Sequence, residues 1–384
     1  MSLFGDFQFF LALILLAIPA IVLGVLEKPL KHYTLVVSLV FIWMALGANT
    51  KALTYLIVFV IIELCAVKLY LYLNAKYRRN KTLYWIFVII GILPLVISKV
   101  SGLYHLGIFG FLGISYLTFK VVQIIIEIYD EIIKEIDILE FLSFILLFTA
   151  ITSGPIDRSR RFHQDYTAII PRDEYLELVG TGLFKICLGM VYKFALAASF
   201  FQLLTWFGHG GIKGNLIYMY SYSFYLFFDF AGYSLMAIGA SYIFGIKTPE
   251  NFDKPFLSKD IKDFWNRWHI SLSHWFRDFI FSRLMMKFIR GKYFKSKVTA
   301  ASIGFMINMT IMGIWHGLEI HYIMYGMYHG VLLALTEVYQ KKSKFYKAHK
   351  KDKWHIYLSW FITFNLIVFG FFIFSGKFTK ILGI

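Results

Sequence analysis

One histidine in this chain stands where chemistry would be expected. His316 lies in Thr310-Ile-Met-Gly-Ile-Trp-His-Gly-Leu-Glu319, at the end of a run apolar enough to sit inside a bilayer. A titratable imidazole at membrane depth is costly unless it is paired or lines a cavity, which marks it as a functional group. Neutral histidine is also the side chain best suited to take a proton near pH 7. The residues therefore point to proton transfer carried out within a membrane.

A second constellation is Asp263-Phe-Trp-Asn-Arg-Trp-His-Ile-Ser-Leu-Ser-His-Trp-Phe-Arg-Asp278. At helical period Asp263, Asn266, Arg267, His274 and Arg277 share one face, and Trp265, Trp268, His269, Trp275 and Phe276 share the other. The segment is too polar to span, so one amphipathic helix, interfacial or re-entrant, is expected. His269 falls on the aromatic side, where a hydrogen bond to a backbone carbonyl and a packing role would explain it. His274 reads as an ordinary solvated residue. Asn266, Arg267 and Trp315 are candidates to steady an oxyanion or the imidazole, and the residue pattern does not choose between them. The pairs His269/His274 and His316/His321 are each five apart, about 140° around a helix, so neither shares a face to hold a metal.

Asp229 lies in Phe227-Phe-Asp-Phe-Ala-Gly-Tyr-Ser, inside an apolar segment. A carboxylate there needs a partner, for which the arginines and histidines above are the candidates. Equally, Gly232, Ser234 and Gly239 suit close helix packing. In Ser153-Gly-Pro-Ile-Asp-Arg-Ser-Arg-Arg-Phe162 the Gly-Pro pair ends a span, and its arginines are set to hold Asp157, a headgroup or a phosphate. Gly107, Gly110 and Gly113 would let a helix approach a neighbour or line a channel. No Walker loop, nucleophile elbow or dinucleotide fingerprint occurs.

These residues must be positioned by membrane helices. Of 384 residues, 59% are hydrophobic and 16% charged. A soluble domain carries about 25% charged residues, so the composition is that of a polytopic membrane protein. Apolar segments run at about 9–26, 33–48, 52–73, 83–98, 104–128, 136–152, 177–205, 215–245, 298–316, 320–338 and 356–375. They predict an all-α fold of about 10–12 membrane helices with interfacial or re-entrant pieces. The first segment is preceded by Asp6 and no basic residue, and is expected to be a retained span. Cys65 and Cys187 read as buried small hydrophobes. One membrane domain over 1–384 is expected: N-terminal helices over 1–100, a catalytic core over 101–340, then a basic loop and last span.

The net charge of +16 is concentrated in loops. Clusters at 76–81 and 341–353, and eight Lys/Arg against the single acid Asp278 over 267–297, place those segments on the cytoplasmic side. Anionic membrane lipid explains the first cluster, whereas the third also suits an acidic soluble partner. Nucleic acid is not an expected partner. With that topology 298–338 is a hairpin whose tip is Trp315–Glu319, reached from outside more easily than the basic segment is.

Taken in order, Gly154-Pro-Ile-Asp-Arg, Phe228-Asp-Phe-Ala-Gly-Tyr-Ser, Phe264-Trp-Asn-Arg-Trp-His-Ile-Ser-Leu-Ser and Trp315-His-Gly resemble the membrane-bound O-acyltransferase family. The matching stretches run from about 107 to 330. Their wording is most similar to the members that D-alanylate teichoic acid, and polysaccharide O-acetyltransferases share the core more distantly. The resemblance implies a multi-pass protein of the bacterial plasma membrane with His316 as catalytic histidine and His269 as the second family histidine. It implies no cofactor bound by the chain itself. The donor would be D-alanine as a thioester on the phosphopantetheine arm of an acidic cytoplasmic carrier protein. The acceptor would be a hydroxyl outside, on lipoteichoic acid or on a membrane partner that relays the acyl group. Two rival expectations stand beside this: acetyl transfer to an extracellular polysaccharide, and a transporter using His316 and Asp229 as a proton relay.

Overall fold

A computed structural model describes residues 1–383, and among these the regular structure is helical apart from one isolated antiparallel bridge between Phe252 and Trp268. The chain forms two compact units, Met1–Val191 with Gly232–Pro249, and Tyr192–Ala231 with Glu250–Ile384.

The first unit opens with α1 (Phe7–Val25), α2 (Lys31–Leu46), α3 (Thr50–Tyr77) and α4 (Lys81–Leu103). Then come α5 (Ile114–Tyr129), α6 (Ile138–Ile145), α7 (Ser159–Thr167) and α8 (Arg172–Met190). The chain continues through a π-helical turn, Val191–Ala197, into α9 (Ala198–Phe207) and the long α10 (Gly211–Ile243), whose end from Gly232 belongs to the first unit. Asn80 caps α4 by accepting from the backbone N–H groups of Thr82 and Leu83, which ends the basic turn at 76–81 cleanly. Small residues let helices meet where lipid supplies no hydrophobic drive. Gly189 and Gly182 of α8 lie against Gly232 and Gly239 of α10, so the packing reading of the 229–239 motif holds for these glycines.

Among the described residues seven helices are long and apolar enough to cross a membrane: α1, α3, α4, Arg172–Phe207, α10, Lys297–His316 and Lys353–Phe374. The other expected spans are shorter or more polar. The 104–128 segment begins as a loop, with Gly113 at φ +97 starting α5, and 136–152 is an eight-residue helix followed by a 3-10 turn. Gly113 thus serves a turn rather than a channel wall, since a methyl there would strike the Ile151 carbonyl. Cys65 and Cys187 are exposed rather than buried, because each lies on the outward face of its helix. That face carries residues such as Ile61 and Leu183, which a bilayer covers. The knot after Gly154-Pro155 closes on itself: Arg161 holds the buried Asp157 in a two-pronged ion pair and reaches Asp165 at 2.6 Å.

Candidate active site

The second unit holds the catalytic candidates. Its hairpin is α14 (Lys297–His316) and α15 (Ile320–Lys342), preceded by α11 (Ile261–Trp265), α12 (Ile270–Phe276) and α13 (Ser282–Arg290). After it come α16 (Lys344–His349), α17 (Lys353–Phe374) and α18 (Lys377–Leu382). Ser296 starts α14 by accepting from the Val298 N–H at 3.2 Å. The helix ends at His316 because Gly317 turns to extended backbone, φ −174 and ψ 166, before α15 begins. Gly313 and Gly326 bring the two helices together so closely that a methyl on Gly313 would lie 2.5 Å from the Tyr322 carbonyl oxygen and 3.1 Å from Gly326 Cα. The hairpin tip is therefore built by absent side chains. Around the His316 ring stand Trp315 at 4.7 Å, Phe374 at 5.1 Å, Tyr325 at 6.1 Å and Tyr322 at 6.3 Å between ring centres.

The 263–278 segment is not the single amphipathic helix that its periodicity predicts. Asp260 caps α11, which ends after five residues, and His269 then adopts φ +44 before α12 begins. A left-handed residue breaks helical register, and it is tolerated here because neighbouring backbone is tied down. Ile270 N–H donates to the Asn251 carbonyl at 2.9 Å, and Ser271 Oγ donates to Asn251 Oδ1 at 2.6 Å. The break turns His269 inward, where it is 3% exposed and meets the Phe230 ring edge-on at 4.7 Å. Burial, and secondarily the nearby His316, hold the His269 imidazole well below the usual histidine range. The structure thus brings the two histidines into one neighbourhood, 47 positions apart in sequence.

Asn266 lines a cavity of about 230 Å³ with Trp265, His274, Arg277, Asn308 and Met312. His274 is therefore a cavity-wall residue and not merely solvated. Arg267 is turned elsewhere: it donates to Asp263 at 2.8 Å and reaches Asp253 at 3.2 Å, and the Asp263 carboxylate holds its guanidinium above the ordinary value. Asp229 pairs with neither an arginine nor a histidine. Its partner is Lys193, at 2.5 Å, carried by the π-helical turn 191–197. A π turn adds a residue per turn and so re-aims the side chains it carries, a displacement that a helical wheel cannot anticipate.

Three residues were missed from sequence. Lys193 is one. His329 is fully buried against Trp265 at 5.2 Å and Tyr325 at 4.6 Å, and neither ring nitrogen has a hydrogen bond. Its signal was the same as that of His316, an imidazole within an apolar run, 320–338. Glu319 is the third. A methyl on Gly317 would meet its Oε2 at 2.5 Å and also the Tyr322 ring, so the carboxylate folds over the residue next to His316.

A buried His269 at a left-handed break and a half-buried His316 at a hairpin tip thus lie in a chain of membrane-length helices. Residues 49–376 match the model of MBOAT, the membrane-bound O-acyltransferase family, and the chain belongs to that family. It is thus a multi-pass membrane acyltransferase. Among its relatives is the teichoic acid D-alanyltransferase of Bacillus subtilis (strain 168), 42% identical and covering 98% of both chains. The protein of the same name from Streptococcus thermophilus is 39% identical over 97% of this chain and 94% of its own. The probable alginate O-acetylase of Pseudomonas aeruginosa is 30% identical over 87% of this chain but 60% of its own length.

Proposed function

We propose that this protein transfers D-alanine from a carrier-protein thioester on the cytoplasmic side to a hydroxyl on the outer side, for D-alanylation of teichoic acid. The relatives named for that activity match the chain nearly end to end, whereas the alginate O-acetylase carries much sequence beyond the match. The observation that carries the mechanism is the position of the cavity relative to His316. Its wall includes Phe305, Asn308 and Met312 of α14, and His316 stands one turn further along the same face. A phosphopantetheine arm lying in this cavity presents its thioester toward the imidazole. Trp265 Nε1 and Asn308 Oδ1, both buried without hydrogen-bond partners, offer a donor and an acceptor to the amides of such an arm.

The cavity lining includes Lys262 and Arg277, and Arg277 is close in sequence to the basic α13 and the loop after it. There Lys287, Arg290, Lys292 and Lys295 are exposed, interspersed with the exposed Met286, Ile289 and Tyr293. An acidic carrier protein suits this surface, with association weakening as salt rises. His316 takes the proton of the acceptor hydroxyl as its oxygen attacks the thioester carbonyl. The carbon–sulfur bond then breaks, and the leaving thiolate recovers the proton from the imidazolium. His269, neutral and buried, assists by orienting the thioester. The acceptor is lipoteichoic acid or a membrane partner that relays the acyl group.

The test is transfer of labelled D-alanine from its loaded carrier protein into membranes, comparing wild type with His316→Ala at matched protein levels. General-base catalysis contributes about 10²–10⁴-fold, so the variant should lose activity on that order while remaining folded. Equal transfer by both proteins would remove His316 as the base. Acetyl transfer with no D-alanyl transfer would move the assignment to polysaccharide O-acetylation.

A further inference from the structure

We propose that Glu319, backed by the ring of Tyr322, is the residue that recognises the α-ammonium of the donor and so selects an aminoacyl group over a plain acyl group. The inference rests on the D-alanyl donor read above and adds to it the source of specificity. D-alanyl and propionyl thioesters have the same carbon skeleton and differ by one amino group. That nitrogen is bonded to the carbon next to the reacting carbonyl, about 2.5 Å from the carbonyl carbon by standard bond lengths and angle. Whatever binds it must therefore lie beside the catalytic imidazole.

Glu319, exposed at the hairpin tip three residues after His316, is the carboxylate placed to meet it. Its Oε2 lies over Gly317, the residue after His316, at the place a methyl on Gly317 would occupy within 2.5 Å. Tyr322, the other side chain against Gly317, has its ring centre 6.3 Å from that of His316. Two more aromatic rings stand near His316, Phe374 at 5.1 Å and Tyr325 at 6.1 Å, and an ammonium is attracted to aromatic faces as well as to a carboxylate. In this unit Asp229 is already neutralised by Lys193, and Asp253 and Asp263 by Arg267, whereas Glu319 has no ion-pair partner among the described residues. Gly317 has a reason of its own: extended backbone accepts any residue, but only glycine leaves room for the Glu319 carboxylate and the Tyr322 ring that lie against it.

The experiment uses the full-length protein in membranes with carrier protein loaded with D-alanyl or, in parallel, propionyl groups. Glu319→Gln keeps size and removes charge, and Glu319→Asp keeps charge. A charge-assisted contact of ordinary strength corresponds to about 10–100-fold in preference. The ratio of D-alanyl to propionyl transfer should fall by that order in Glu319→Gln and recover in part in Glu319→Asp. An unchanged ratio would overturn the proposal, and so would an equal loss of both activities, which would make Glu319 a positioning residue for His316. Failure of the wild type to transfer D-alanine would instead remove the donor reading, and this proposal with it.

Discussion

Replacing Gly313 by alanine separates the placement of His316, the proposed base, from the stability of the helices that carry it. The added methyl would lie 2.5 Å from the Tyr322 carbonyl oxygen, where ordinary contact begins at 3.4 Å. The hairpin must open by about 0.9 Å, and the three nearest obstructing atoms are all backbone, so no side chain can rotate away. Two stability terms oppose one another. Overpacking costs about 1–3 kcal/mol, while alanine in a helix interior is favoured over glycine by about 1 kcal/mol. Their difference leaves the variant folded, with a loss of about 0–2 kcal/mol. Catalysis has no such offset. His316 is one turn beyond Gly313, and a misplacement of about 1 Å at a reacting group costs on the order of 10²-fold. The expected result is a small drop in thermal stability in detergent, by fluorescence-detected size exclusion, with a fall of about 10²-fold in labelled D-alanine transfer. Activity within about threefold of wild type at equal stability would refute the link between the glycine contact and the imidazole position.

Two further substitutions test the local geometry. His269→Asn retains a residue tolerant of left-handed backbone, so it should fold and lose activity, whereas the β-branched His269→Val should fail to accumulate as folded protein. Comparable folding of both would show that the φ of +44 is not required. Asp229→Asn leaves Lys193 without its counter-charge. With the Asp229 side chain 38% exposed, the loss should be about 1–2 kcal/mol rather than the 3–5 kcal/mol of a fully buried pair. The double variant Lys193→Met with Asp229→Leu should regain that stability in a thermal melt. A double variant less stable than the single one would show that the pair contributes more than mutual neutralisation.

By itself the sequence determined the membrane class, singled out His316 as a candidate and foresaw the hairpin that carries it. Those follow from quantities local in the chain: apolar length, the cost of an imidazole among apolar residues, and loop charge. Only the tertiary structure decided what lies beside what. Helical periodicity assumes an unbroken helix, so it could not foresee the left-handed break at His269 that folds this ring toward His316. It assumes α-helical turns, so the π turn that delivers Lys193 to Asp229 lay outside it. Arg267, conspicuous in the motif, is spent on Asp263 and Asp253, while Glu319, inconspicuous as a loop carboxylate, folds over Gly317, the residue after His316. Such pairings depend on distances between segments far apart in sequence or on the path of a turn, and no local pattern encodes either.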